Sequence, residues 1–395
     1  MRPRILYVIL LIFPLVFHAC KDELTDLQKD SFMKFYGSYL NDAGRDVKAL
    51  PSGGYAITGN IVPDSIVKMA LIITDEAGNQ VEGSPWFYGG KYQTGGTTLL
   101  LLEDGYLLGG TLVDTASDGE LYTDMFLVKT DAAGNEVWSQ RYGNEESDLL
   151  NHVIHRKTGG FVLAGKKTTN ENEDLWIVMV DENGNKLYDF TGKDVDDDDE
   201  ANFLISTGNG YLCACTYDDG SMEGTDIYIL SLNENCSPEG STVLGTEDDD
   251  IARTIIRYQD GFAVMGYTEN TLTGQNDISV YTFSVENHNF KNVQKMATLS
   301  ELLADLTGED CVVNSKGDIA IIGSREANDN RDMYLVIIDS SGSIVGEPAL
   351  FGGSGNQTGQ AIDKTADGGL ILTGSNAFGG NTVITLVKTD AGGAL

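Results

Sequence analysis

Apolar residues fall in short runs separated by polar, glycine-rich turns. The pattern is clearest between Asp124 and Gly143. An apolar run ends at the turn Asp131-Ala-Ala-Gly134-Asn135, and a second run follows through Trp138 to Tyr142. Pairs of runs like this are preceded by a Gly-Gly-aromatic turn such as Gly159-Gly160-Phe161. The third unit therefore predicts four strands: A over 151–155, B over 161–165, then a longer polar loop, C over 174–181 and D over 186–188. In the C–D turn an Asp carboxylate can bond the backbone ahead of it and Gly supplies a positive φ, which makes a hairpin the natural product. Strand C is apolar on both faces, so it must be covered on both sides, as in a stack of blades.

The residue following each Gly-rich turn is Tyr55, Tyr106, Phe161, Tyr211, Phe262, Ile319 and Leu370, at intervals of 51, 55, 50, 51, 57 and 51. Seven near-equal units of four strands predict an all-β, seven-bladed β-propeller of four-stranded antiparallel blades. The C–D turn recurs at 75–79, 131–135 and 339–343 and degrades at 233–237 and 286–290. The last unit lacks a strand D, while residues 31–37 have no unit of their own and read like one. The N-terminal strand is thus expected to close the ring beside residues 383–388. The expected domain layout is a signal peptide at 1–19, a lipidated Cys and tether at 20–30, and the propeller at 31–395.

Several motifs carry resemblances. The WD dipeptide of WD40 repeats is missing, and the Gly-Gly precedes strand B rather than following a strand as in kelch repeats. The stretch from Asp131 to Trp138 resembles the turn of quinoprotein-like propellers, one residue shorter. The whole unit, Asp-Gly-Gly-Tyr-x-x-x-Gly and then Asp-x-x-x-x-Lys-x-Asp-x-x-Gly-Asn-x-x-Trp, resembles the propeller repeats of bacterial exported proteins. At the N-terminus, Arg2, Arg4 and an apolar run over 5–17 make a signal peptide. Phe17-His18-Ala19-Cys20 resembles a lipoprotein cleavage box, with Cys20 as the lipidation site. Lys21-Asp22-Glu23 resembles the signal that carries Bacteroidetes lipoproteins to the outer face of the outer membrane. These resemblances imply a surface-exposed outer-membrane lipoprotein, held to the membrane through its N-terminal lipid.

The charge narrows the partners. With 26 basic against 60 acidic side chains, formally −34, the folded surface would repel nucleic acid and anionic lipid. Gly is abundant at 47 and Pro scarce at 7, as many tight turns require. Cys213, Cys215, Cys236 and Cys311 show no zinc spacing and read as small buried hydrophobes. His152 and His155, three apart on a strand, point to opposite faces and do not suit a shared metal.

Catalytic signatures are missing: there is no nucleophile elbow, P-loop or zinc-protease helix. The acidic run 194–200 places Asp194, Asp196 and Asp198 like the first ligands of an EF-hand, but Asp199 replaces the required Gly and Ile205 the twelfth-position Glu. It is either a solvated acidic loop or a calcium site of another geometry; no other cofactor is called for. In an up-and-down blade the B–C and D–A connections share one end of the ring, and loops on a rigid scaffold carry function. That face is expected to hold long B–C loops over 112–123, 216–225, 267–276 and 324–331. It is also expected to hold acidic approaches to strand A at Asp42, Asp148, Asp198 and Asp249. Tyr217, Arg325 and Arg331 complete the ligand-contact expectation. The functional reading is a monomeric surface module binding a glycan, peptide or partner protein. The alternatives are a periplasm-facing envelope-assembly scaffold or a polysaccharide-active enzyme.

Overall fold

The structure is a computed structural model; it describes residues 31–169, 172–192, 198–218 and 224–395, and Cys20, Asp194 and Asp196 lie outside these. All regular structure among the described residues is β-strand, in seven four-stranded antiparallel sheets. Each sheet is one blade, ordered A-B-C-D from the channel outward. The innermost strands are Ala43–Ala49, Gln93–Leu101, Leu149–His155, Glu200–Ser206, Asp249–Tyr258, Asp305–Val313 and Gln357–Lys364.

The ring closes as the sequence implies. Strand Phe32–Tyr36 pairs antiparallel with Asn381–Thr389, from Phe32 opposite Lys388 to Tyr36 opposite Ile384, and supplies strand D of blade 7. Seven hydrophobic clusters fill the structure, one at each seam between adjacent blades. The closing seam is as apolar as the rest: Tyr36, Ile384 and Leu386 of blade 7 bury against Val47, Ile57 and Ile72 of blade 1. Strand C is buried on both faces, as in Asn172–Val180, where the last six residues are all buried. All four described cysteines are buried and free.

The recurrent turn is a device for joining blades. Asp181 accepts from the backbone N–H of Asn183 and Asn185, and Gly184 takes φ +78. A Cβ on Gly184 would lie 2.9 Å from the Trp138 ring of the preceding blade. The Tyr ending strand D donates across the same seam: Tyr36 Oη to Gly78 O (2.6 Å), Tyr88 to Gly134 O (2.8 Å) and Tyr142 to Gly184 O (2.6 Å). At 233–237 the turn survives its altered sequence, with Asn233 in the Asp role and Cys236 held at φ +60. At 286–290 a tighter turn replaces it, with Asn287 and His288 both at positive φ.

The B–C connections differ from expectation. Over 324–331 there is no long loop: Arg325 pairs with Asp332 and Glu326 with Arg331, and only Asn328-Asp329 turn. Blade 2 runs as strand to Thr115 and resumes at Leu121. Strand ends that project from the ring are wet on both faces, so their composition matches that of loops.

Candidate channel-mouth site

Each innermost strand carries one β-bulge at the same height, between Gly44 and Asp46, Gly96 and Thr98, Leu150 and His152, Ala201 and Phe203, Ala252 and Thr254, Gly308 and Asp310, and Gly359 and Ala361. A bulge leaves its extra residue unpaired and re-aims that side chain. Here the seven extra residues are Arg45, Thr97, Asn151, Asn202, Arg253, Glu309 and Gln360. All seven line one central cavity of about 490 Å³. The bulges lie near the start of strand A, so the cavity opens on the face formed by the D–A and B–C connections.

A set of small residues makes this possible. In six blades the residue opposite the bulge on strand B is Gly, where a Cβ would meet a strand-A carbonyl oxygen at 1.8–2.0 Å; blade 4 carries Cys215 there. These glycines are the last position of the recurrent Gly-Gly-aromatic-x-x-x-Gly motif, so the sequence did mark the bulges. It carried no mark of what they display, because the displayed residue is not fixed by the repeat: Arg and Asn occur twice each, and Thr, Glu and Gln once.

Around the ring the side chains engage one another. Arg45 donates to Gln360 Oε1 at 2.7 Å, and Arg253 Nε lies 3.4 Å from Glu309 Oε2 without forming a hydrogen bond. Asn151 donates to Glu200 Oε1 at 2.7 Å, and Asn202 to Thr216 Oγ1 at 2.8 Å. Burial raises the Glu309 carboxyl, opposed by Arg253 and Arg45, and burial lowers the Arg45 guanidinium.

The next layer down fastens blades together. Asp46 Oδ2 accepts from Leu99 N–H (2.7 Å), His152 Nδ1 from Leu204 N–H (3.2 Å) and Asp310 Oδ2 from Ile362 N–H (3.1 Å), each across a seam. Burial pushes Asp310 up to about 7 and His152 down to about 3, so His152 stays neutral with Nδ1 free to accept. Burial pulls Lys48 down, but the carboxylates of Asp46, Asp310 and Asp363 outweigh it and hold the ammonium at about 12. Lys48 donates to Asp46 Oδ1 at 2.7 Å. The remaining oxygen of Asp310 accepts from Cys311 N–H. The most perturbed groups in the channel are therefore occupied in holding the ring.

The residues singled out from the sequence lie on the same face but not in the cavity lining. Asp42 and Asp148 are buried and bind the backbone of their own connections, Asp42 through Ser38 and Val62 N–H, and Asp148 through Asn144 and Thr168 N–H. Their structural equivalents in blades 4 and 5 are the buried Asp199 and Asp250, one residue beyond Asp198 and Asp249, because the A–B turns there are shorter. Asp198 accepts from Glu173 N–H and Asp249 from Thr225 N–H. Tyr217 packs on Tyr228 with ring centroids 5.3 Å apart. Arg325 pairs with Glu301 and Arg331 with Glu326. Among the described residues no group of three His, Cys, Asp or Glu is placed to hold a metal.

No family model and no curated protein matches this chain. Solved structures do. A puromycin hydrolase (S511A mutant, complexed with PGG) aligns at 13% identity and a TM-score of 0.53, over 89% of this chain and 52% of its own. The acylaminoacyl peptidase of Pyrococcus horikoshii aligns at 11% identity and 0.48, with the same coverage. The chain spans about half the length of these two hydrolases. A luciferin-regenerating enzyme aligns at 10% identity and 0.42, over 92% of this chain and 99% of its own. The likeness is one of fold alone.

Proposed function

We propose that this protein is a surface-anchored lipoprotein whose propeller is a binding module, with its ligand site at the channel mouth. The observation that carries the reading is the division of labour in the channel. Deep titratable groups are bonded across seams, while the bulges bring seven polar side chains of five types together above them. That arrangement offers many directional contacts and no nucleophile paired with a base, which suits recognition rather than turnover.

Geometry supports the anchored orientation. Phe32 begins strand D opposite Lys388, at the end of the ring where the C–D turns lie, and the mouth is at the other end. A tether from a lipidated Cys20 to Phe32 reaches on the order of 40 Å when extended. It would hold the turn face toward the bilayer and present the mouth outward.

The test incubates the full chain in detergent micelles with oligosaccharides, peptides and small polar metabolites, following both thermal stabilisation and chemical change. Stabilisation by an unaltered ligand is the expected result; product formation would overturn the reading. Protease treatment of intact cells separates the surface form, which is cleaved, from a periplasmic scaffold, which is protected.

A further inference from the structure

We infer that the channel mouth takes an uncharged sugar residue; the inference rests on the binding-module reading and deepens it. The charge pattern comes first. Glu309 lies beside Arg253 and acts on Arg45, and Arg253 is also acted on by Glu200, so charges alternate along the arc from blade 4 to blade 1. Arg253 and Glu309 oppose one another directly, and Arg45 feels Glu309 while donating to Gln360. An ionic ligand would compete with these interactions, and an anion would also meet a protein of formal charge −34. A neutral ligand with hydroxyl groups meets no such penalty.

The donor and acceptor pattern points the same way. The opposite arc presents Asn151, Asn202 and Thr97, and Gln360 completes the ring. Amides and hydroxyls both donate and accept, as vicinal sugar hydroxyls do. Phe203 also lines the cavity, with one ring face stacked on His152 at 3.7 Å, and adds an apolar edge beside the polar groups for the C–H positions of a pyranose.

Two residues of the lining have hydrogen-bonding capacity to spare. Thr98 is 2% exposed and lines the cavity, yet its Oγ1 has no hydrogen-bond partner among the described residues, and Arg253 Nε has none either. A buried polar atom without a partner is costly, and a χ1 rotation that turned the Thr98 hydroxyl into the cavity would let a bound hydroxyl pair with it. At about 490 Å³ the cavity has room for one or two sugar rings rather than an extended protein epitope.

The experiment uses the full chain in detergent micelles on arrays of immobilised oligosaccharides ending in glucose, galactose or mannose. Matched uronate-, amino-sugar- and dipeptide-bearing surfaces serve as competitors, with calorimetry on hits. The expected result is binding of neutral sugars at least tenfold tighter than any charged probe. Thr98→Val should weaken binding about tenfold, the value of one hydrogen bond, while leaving melting unchanged or higher because an unpaired hydroxyl is removed. Thr97→Trp should fill the mouth and abolish binding. Preference for a uronate, amino sugar or dipeptide would overturn the inference, as would binding to no sugar at all. Sugar binding that survives Thr97→Trp would place the site elsewhere, sinking this inference and leaving the binding-module reading intact. Release of new reducing ends would instead sink that reading.

Discussion

The closing seam can be tested by a pair of single-atom changes. Tyr36 and Tyr142 occupy the same position at the end of strand D, both buried, and both donate at 2.6 Å to the turn glycine of the next blade. Tyr142 spans the seam between blades 2 and 3, which any propeller built in chain order must form. Tyr36 spans the seam between the last blade and the first. Tyr→Phe removes one hydroxyl and leaves a buried carbonyl unpaired, a cost of about 1–2 kcal/mol. Phe should therefore cost the same at both positions. Tyr36→Ala would add the loss of a ring packed among Tyr55, Ile57 and Ile384, bringing the cost to roughly 3–5 kcal/mol. Urea denaturation followed by tryptophan fluorescence resolves such differences as midpoint shifts at constant slope. If Tyr142→Phe destabilises while Tyr36→Phe stays within about 0.5 kcal/mol of wild type, the seam is open in solution and the closure argument fails.

Further outcomes follow from the site and the turns. Asp310 has its carboxyl raised by burial from 3.8 to about 7, so the folded state holds a proton the unfolded state has released. Its contribution is present in full below pH 4 and lost as pH rises to 7; the stability difference between wild type and Asp310→Asn should shift over that window, and a pH-independent difference refutes the assignment. Gly184 and Gly119 both have positive φ, but only Gly184 faces a Trp ring, whereas nothing lies within 4 Å of a Cβ on Gly119. Gly119→Ala should cost about 1 kcal/mol and Gly184→Ala clearly more in the same urea assay, and equal costs would discount the ring contact. Mass spectrometry of native protein should find an acylated N-terminal Cys20; an unmodified thiol would rule out the lipid anchor.

What the chain determines by itself is whatever depends on local chemistry repeated along it. Asp131, Gly134 and Asn135 build their hairpin from their own side chains and φ, so the turn, its spacing and the count of blades were legible. The missing strand after Asp390 and the spare one at 31–37 made the closure legible too, because a blade edge without a partner is a deficit the sequence can show. The site was not legible. Arg45, Arg253 and Glu309 lie more than fifty residues apart, and no motif in the repeat calls for a charge at their positions. They meet because seven blades converge on one axis and each carries a bulge at one height. The glycines opposite the bulges were in the repeat, but a glycine reports only that backbones come close. Nor could composition separate a projecting strand from a loop at 324–331, since both are wet and polar, and only the Arg325–Asp332 ladder decides. Turn length likewise set which carboxylate is buried, Asp199 rather than Asp198, through one residue whose effect appears only after the strands pair. Local hydrogen bonds act over a few residues and leave a pattern in the sequence; convergence on an axis is a property of the closed ring, and only the folded chain expresses it.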